Sequence, residues 1–193
     1  MFYSHLYWER LNIAMIRSEA VDYIDNDKIA LLQDEAIKLG ATITKLISTK
    51  NIVVEPWVQL KCRFGCSKFG KYKTCPPYTP TYQETRELLS CYKSAILIEG
   101  QPPAKQFEGM LLKLEHKANL SGLYKAFSMN AGPCPLCAEC DVTGTCPMPE
   151  DARPSMEACG IDVFKTVRDN GFEIKFLEHK TEYVKYFGLL LLE

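Results

Sequence analysis

Residues 134 to 146 read Cys-Pro-Leu-Cys-Ala-Glu-Cys-Asp-Val-Thr-Gly-Thr-Cys, which sets four cysteines within thirteen positions. A second group, Cys62, Cys66 and Cys75, stands upstream, and Cys91 and Cys159 bring the total to nine. An odd number cannot be fully paired as disulfides, and dense disulfide frameworks belong to small secreted domains. At 193 residues the chain can bury a core without staples. Its first twenty residues are interrupted by Glu9, Arg10 and Arg17, so they lack the unbroken apolar centre of a secretory signal. No apolar run approaches a membrane span. The expected location is therefore a reducing cytoplasm, where clustered thiols serve metals or redox chemistry.

Spacing narrows the choice. The second group reads C-x2-C-x2-C-x5-C-P, closed by Pro147. The iron–sulfur run of bacterial ferredoxins is C-x2-C-x2-C-x3-C-P, so this chain differs only by two extra residues in the last gap. Three cysteines in seven residues wrap a tight turn around one polynuclear body. A zinc knuckle usually takes two cysteines from one C-x2-C and two from elsewhere. The expectation is one or two 4Fe–4S clusters, with a structural zinc site as the alternative. The first group reads C-x3-C-x8-C-P-P and supplies only Cys62, Cys66 and Cys75. Cys91 is a candidate fourth ligand; an open iron position is the other choice. A crossed arrangement also fits, in which Cys146 serves the first cluster and Cys75 the second. Cys159, between Ala158 and Gly160, reads as a small core residue.

The formal net charge of −1 excludes a general nucleic-acid or membrane-surface binder. Charge is nevertheless unevenly placed. Lys61, Arg63, Lys68, Lys71 and Lys73 crowd the first group, whereas Glu139, Asp141, Glu150 and Asp151 flank the second. Cations beside thiolates stabilise an anionic cluster and form a docking face for an acidic redox partner protein. His5, His116 and His179 show no metal spacing. There is no Gly-rich phosphate loop, no G-x-S-x-G and no catalytic Cys–His pair.

Periodicity predicts a helix over residues 27–39, a β-rich edge segment over 51–61, a helix over 82–91 begun by a Thr81/Glu84 capping box, and a buried strand over 94–100. A long helical pattern follows over 103–130, weakened at Gly109 and Gly122. A helix is expected over 155–171, with Ser155 as its cap. Two final strands are then joined as a hairpin near Lys180 and Thr181. The fold expected is α+β: an antiparallel or mixed sheet of four to five strands, helices on one face and two cysteine-rich metal-binding loops. Residues 1–20 read as an arm or extension, and 21–193 as a single domain.

Three blocks carry a resemblance: "CRFGCSKFGKYKTCPPYTPT", "LEHKANLSGLYKAFSMNAGPCPLCAEC" and "CPMPEDARPSMEACGIDVFKTVRDNGF". Together they resemble a family of predicted metal-binding proteins, a domain of unknown function widespread in anaerobic bacteria and archaea. The resemblance implies metal bound through Cys62, Cys66, Cys75, Cys134, Cys137, Cys140 and Cys146, as iron–sulfur clusters, and no established reaction. It leaves the first group's fourth ligand open. Arg153 and Asp162, in the third block, read as structural residues in preference to substrate contacts.

Overall fold

A computed structural model describes residues 25–175 and 184–193. The expected N-terminal arm and the expected hairpin turn at Lys180 and Thr181 lie outside the described residues. Four strands form one antiparallel sheet: β1 (Ile43–Ser48), β2 (Ser94–Gly100), β3 (Phe127–Met129) and β4 (Tyr186–Leu191), in the order β1-β2-β4-β3. The central pair explains the unbroken apolar runs "SAILI" and "LLLL". Successive side chains of a strand point to opposite faces, so a strand covered on both sides needs apolar residues throughout. Ala95, Leu97, Leu189 and Leu191 join one buried cluster, while Ile96, Ile98, Leu190 and Leu192 join the other.

The two long helices pack on the second of these faces. Helix α1 (Asn26–Lys38) buries Ile29, Leu32 and Ala36, and Asp25 caps it by accepting from the Asp27 N–H at 3.0 Å. Helix α4 (Ala104–Leu120) buries Phe107, Met110, Leu111, Leu114 and Ala118. Shorter pieces cover the opposite face: Ile52, Val54, Leu89 from helix α3 (Tyr82–Ser90), a 3-10 turn at Glu157–Cys159, and Val163 and Val167 of helix α5 (Val163–Asp169). The molecule is α+β with a four-stranded antiparallel sheet, as expected, but helices cover both faces and not one, because β2 and β4 are apolar on both sides. Among the described residues, no helix is long and apolar enough to cross a membrane.

Three elements differ from the sequence reading. The segment expected to be an edge strand over 51–61 makes a lone bridge from Val54 to Ile161 and then becomes helix α2 (Pro56–Gly65). Pro56 is the cause: it stands in the first turn, where its missing N–H costs nothing and its fixed φ suits a helix. The pattern over 103–130 is not one helix. It stops at Leu120, Gly122 takes φ +96°, and the chain turns so that Phe127 enters β3. The segment over 155–171 is likewise divided, into the 3-10 turn and α5, which Asp162 caps through its carboxylate and the Lys165 N–H at 3.0 Å. Ser155 stands two residues before the 3-10 turn, whose N-cap is Met156, and its hydroxyl accepts from Ala158 N–H at 3.1 Å.

These details place the cysteines. Cys62 lies in the last turn of α2 and Cys66 is its C-cap. Helix α3 begins after the first loop with the expected capping box, Thr81 and Glu84 each holding the other's backbone. The second loop leaves the sheet at Asn130 and returns at Ser155, which bridges Asn130 in parallel. Its base is pinched by Asn130 N–H to Pro154 O at 2.8 Å and Met156 N–H to Asn130 O at 3.1 Å.

Candidate metal centre

The two loops, some sixty residues apart in the chain, are stitched together. Lys73 of the first loop turns its backbone N–H toward Cys140 Sγ, at 3.5 Å, and its Nζ donates to Val142 O at 3.1 Å. In return, Cys134 N–H donates to Thr74 Oγ1 at 3.3 Å. Lys73 is therefore an inter-loop clamp, not part of a solvated basic rim. A backbone N–H aimed at sulfur is also the hydrogen bond that a thiolate ligand needs when its charge is half-buried.

All four cysteines of the second loop line one cavity of about 110 Å³, together with Tyr72, Lys73 and Thr74 of the first loop. Asp141 shapes the two extra residues of the last gap. Its Oδ1 accepts from Thr143 N–H at 2.9 Å, Thr143 Oγ1 at 2.7 Å and Gly144 N–H at 3.0 Å. Those bonds hold the Asp141 carboxyl below its usual range, with Lys73 adding to them. A side chain at position 144 would begin 2.4 Å from Asp141 Oδ2, so it would push the carboxylate that holds the turn. The five-residue gap is thus a closed, hydrogen-bonded turn that returns Cys146 to the same cavity as its three companions.

Cys62, Cys66 and Cys75 lie within electrostatic reach of one another, although Cys75 lines neither this cavity nor the larger one that Cys62 and Cys66 line. Burial pushes the Cys75 thiol up to about 11, and repulsion from Cys66, Cys62, Cys134 and Cys140 adds to it. Cys75 therefore stands between the two groups, sensing both. Burial, then Cys66 and Glu157, likewise push the Cys62 thiol up. Burial raises Cys134 to about 11, with Glu108, Cys137 and Cys146 contributing and the Leu136 N–H opposing. Thiols so placed stay protonated at neutral pH unless a cation takes the proton's place. The donor set therefore fits a thiolate-bound metal group. Among the described residues, no three His, Cys, Asp or Glu side chains converge on a single point as the ligands of one ion.

Cys62, Cys66, Cys134 and Cys137 further line a larger open cavity of about 1690 Å³ that reaches α5. Cys91 lies elsewhere: it is the exposed C-cap of α3, its Sγ is 3.7 Å from Glu87 O, and it lines neither cavity. Cys159 is fully buried in the core, and its thiol is pushed up to about 12 by that burial.

Three acids behind the loops carry no motif. Glu115 of α4 accepts from Arg153 Nε at 2.9 Å and Nη2 at 2.5 Å, and from Ser128 N–H and Oγ at 2.7 and 2.6 Å. Arg153 thereby ties the end of the second loop to α4 and β3, and its guanidinium lies over the Phe127 ring. Glu108, one stripe-repeat earlier on α4, is buried with neither oxygen hydrogen-bonded, beside a fully buried Asn130 whose amide is also unpartnered. Glu157 lines the larger cavity with Cys62 and Cys66. The sequence did hold a signal for the α4 pair: Glu108 and Glu115 are seven apart on the same inward stripe as Leu111 and Leu114.

Compared with known proteins, residues 45–192 match the family model described as Predicted metal-binding protein (DUF2284). No curated protein and no solved structure matches the chain.

Proposed function

The chain belongs to the predicted metal-binding protein family, and we propose that its metal is iron–sulfur, held by the two cysteine loops for one-electron exchange with a partner protein. The cavity enclosed by Cys134, Cys137, Cys140 and Cys146 carries this reading. Its volume is about 110 Å³, whereas a single water needs roughly 10–15 Å³ of such space. Four thiols around that much room suit a polyatomic cluster better than one ion. Cys62, Cys66 and Cys75 are the donors of a second group. When bound, a 4Fe–4S cluster supplies a reversible single-electron couple whose potential is set by hydrogen bonds to sulfur, net charge and exposure. The residues of this chain set those terms: the Lys73 N–H at Cys140, the half-burial of the thiols, and the nearby Glu108 carboxyl.

The surface around the first loop suits a transient partner. Helix α2 leaves Trp57, Leu60 and Phe64 exposed on one stripe. Lys61 lies over the Trp57 ring and Arg63 over Phe64, and Lys68 lies over Tyr72. An apolar stripe edged with cations beside Cys62 and Cys66 is a docking face for an acidic redox protein, and small interfaces of this kind are usual for electron-transfer encounters.

Iron, acid-labile sulfide and zinc per chain, measured on protein purified without oxygen, test the reading. The expected result is about eight irons and eight sulfides, falling to about four of each in Cys137→Ser. Stoichiometric zinc without sulfide would replace the redox reading with a structural metal module.

A further inference from the structure

The second loop has four thiols around its own cavity, but the first has three, and Cys91 stands apart on α3. A carboxylate stands beside the first group. Glu157 opens the 3-10 turn that packs against α2, and its backbone O faces Cys62 Sγ at 3.9 Å. Glu157 is among the residues around the cavity that Cys62 and Cys66 line, and its carboxyl is close enough to raise the Cys62 thiol. Carboxylate oxygen Oε2 is sealed from solvent and has no hydrogen-bond partner. A desolvated carboxylate oxygen without a donor is costly, and a metal cation is a partner that offsets such a cost.

We propose that Glu157, through Oε2, is the fourth ligand of the first-loop cluster, completing Cys62, Cys66 and Cys75. The assignment rests on the iron–sulfur reading above and extends it. Carboxylate oxygen is a harder donor than thiolate. An iron at that corner would therefore be the most exchangeable of the cluster. The second cluster, enclosed by four sulfurs, has no such corner. The two loops would then differ in kind: one would hold an all-thiolate group and the other a group with one harder, more exchangeable corner.

The test compares wild type, Glu157→Gln and Glu157→Cys, all purified without oxygen, by iron and sulfide content and by electron paramagnetic resonance of the oxidised form. Wild type is expected to hold about eight irons, and Glu157→Gln about seven with sulfide unchanged and a new three-iron signal. Glu157→Cys restores the eighth iron with an altered spectrum, a rescue that a packing or hydrogen-bonding role would not give. Wild-type iron and spectrum in Glu157→Gln would overturn the assignment, as would a Cys variant that behaves like the Gln variant. Four irons in wild type would overturn it while leaving the second-loop cluster in place. Zinc without sulfide in wild type would remove the cluster reading itself and this ligand with it.

Discussion

Glu108 is the residue whose surroundings most disagree with its charge. It is 1% exposed, and neither carboxylate oxygen is hydrogen-bonded. Burial pushes its pKa from 4.5 up to about 7. The Arg153 backbone and guanidinium and the Asn130 amide oppose that rise, and Asp151 adds to it. The folded chain thus holds a proton that the unfolded chain releases between about pH 4.5 and 7. More protons bound in the native state means that stability falls as pH rises through that window, by at most about 3 kcal/mol for this group. Glu108→Gln removes the ionisation while keeping the shape. It is expected to be the more stable protein at pH 8 and to approach wild type at pH 5. Urea midpoints for both proteins at the two pH values, with metal content matched, check this; parallel pH dependences would show that Glu108 ionises at no cost. Glu115 is the contrasting case on the same stripe. Burial works against its carboxylate, but Arg153 and Ser128 outweigh that and hold its pKa below the usual value. Arg153→Ala strands that charge and is expected to cost about 3–5 kcal/mol in denaturant midpoint at pH 7, far more than an exposed ion pair such as Lys165–Asp169.

At the level of elements, the turn inside the second loop decides whether four sulfurs meet. The Asp141 carboxylate that holds Thr143 and Gly144 would have to shift to make room for a Cβ at position 144. Gly144→Ala is expected to break that turn at a cost of about 1–3 kcal/mol and to lower metal content. Gly109→Ala, where a Cβ on helix α4 meets nothing within 4 Å, should leave metal content unchanged and gain up to about 1 kcal/mol. Equal metal content in the two variants would mean that the turn does not position Cys146. The elements that were legible in the sequence are those settled by local rules: the capping box of α3, the caseless apolar run of β2, the inward stripe of α1. Helix α2 was misread because Ile52, Val54, Val58 and Leu60 also alternate, and only the position of Pro56 breaks the tie. In the fold Val58 is buried and Leu60 is 58% exposed, which suits one face of a helix. The second group was legible because its four cysteines lie within thirteen residues, and the fold sets all four around one cavity. The clamp of Lys73 on Cys140 and Val142 was not, since it depends on two loops meeting across the sheet's end. Glu157 was hidden for the same reason: nothing in its own stretch distinguishes it from a surface acid.

Across the whole molecule, the fold and the metal are linked through protons. The sheet and α4 fix both ends of the second loop, and α2 fixes the start of the first, so contacts within the polypeptide position the thiols. Burial first raises the Cys75 and Cys134 thiols from 9.0 to about 11, with neighbouring thiols adding at Cys75 and Glu108, Cys137 and Cys146 adding at Cys134. For the metal-free chain the folded values lie above the unfolded ones. The protonated thiols therefore favour the fold below about pH 9, and that advantage is lost as pH rises toward 11. A metal ion that takes these sulfurs as thiolates must displace their protons. Cobalt(II), whose thiolate bands are visible, serves as a probe. Its affinity for the metal-free chain is expected to rise about tenfold or more per pH unit between pH 6.5 and 8.5, since each displaced proton contributes one such factor. At least two protons per chain should appear in a weakly buffered titration. The Cys75→Ser variant should release fewer protons and bind more weakly, whereas Cys91→Ser, altered at an exposed helix end, should match wild type in both. A cobalt affinity independent of pH would show that the thiols are already ionised, and the picture of a proton-filled site would fall.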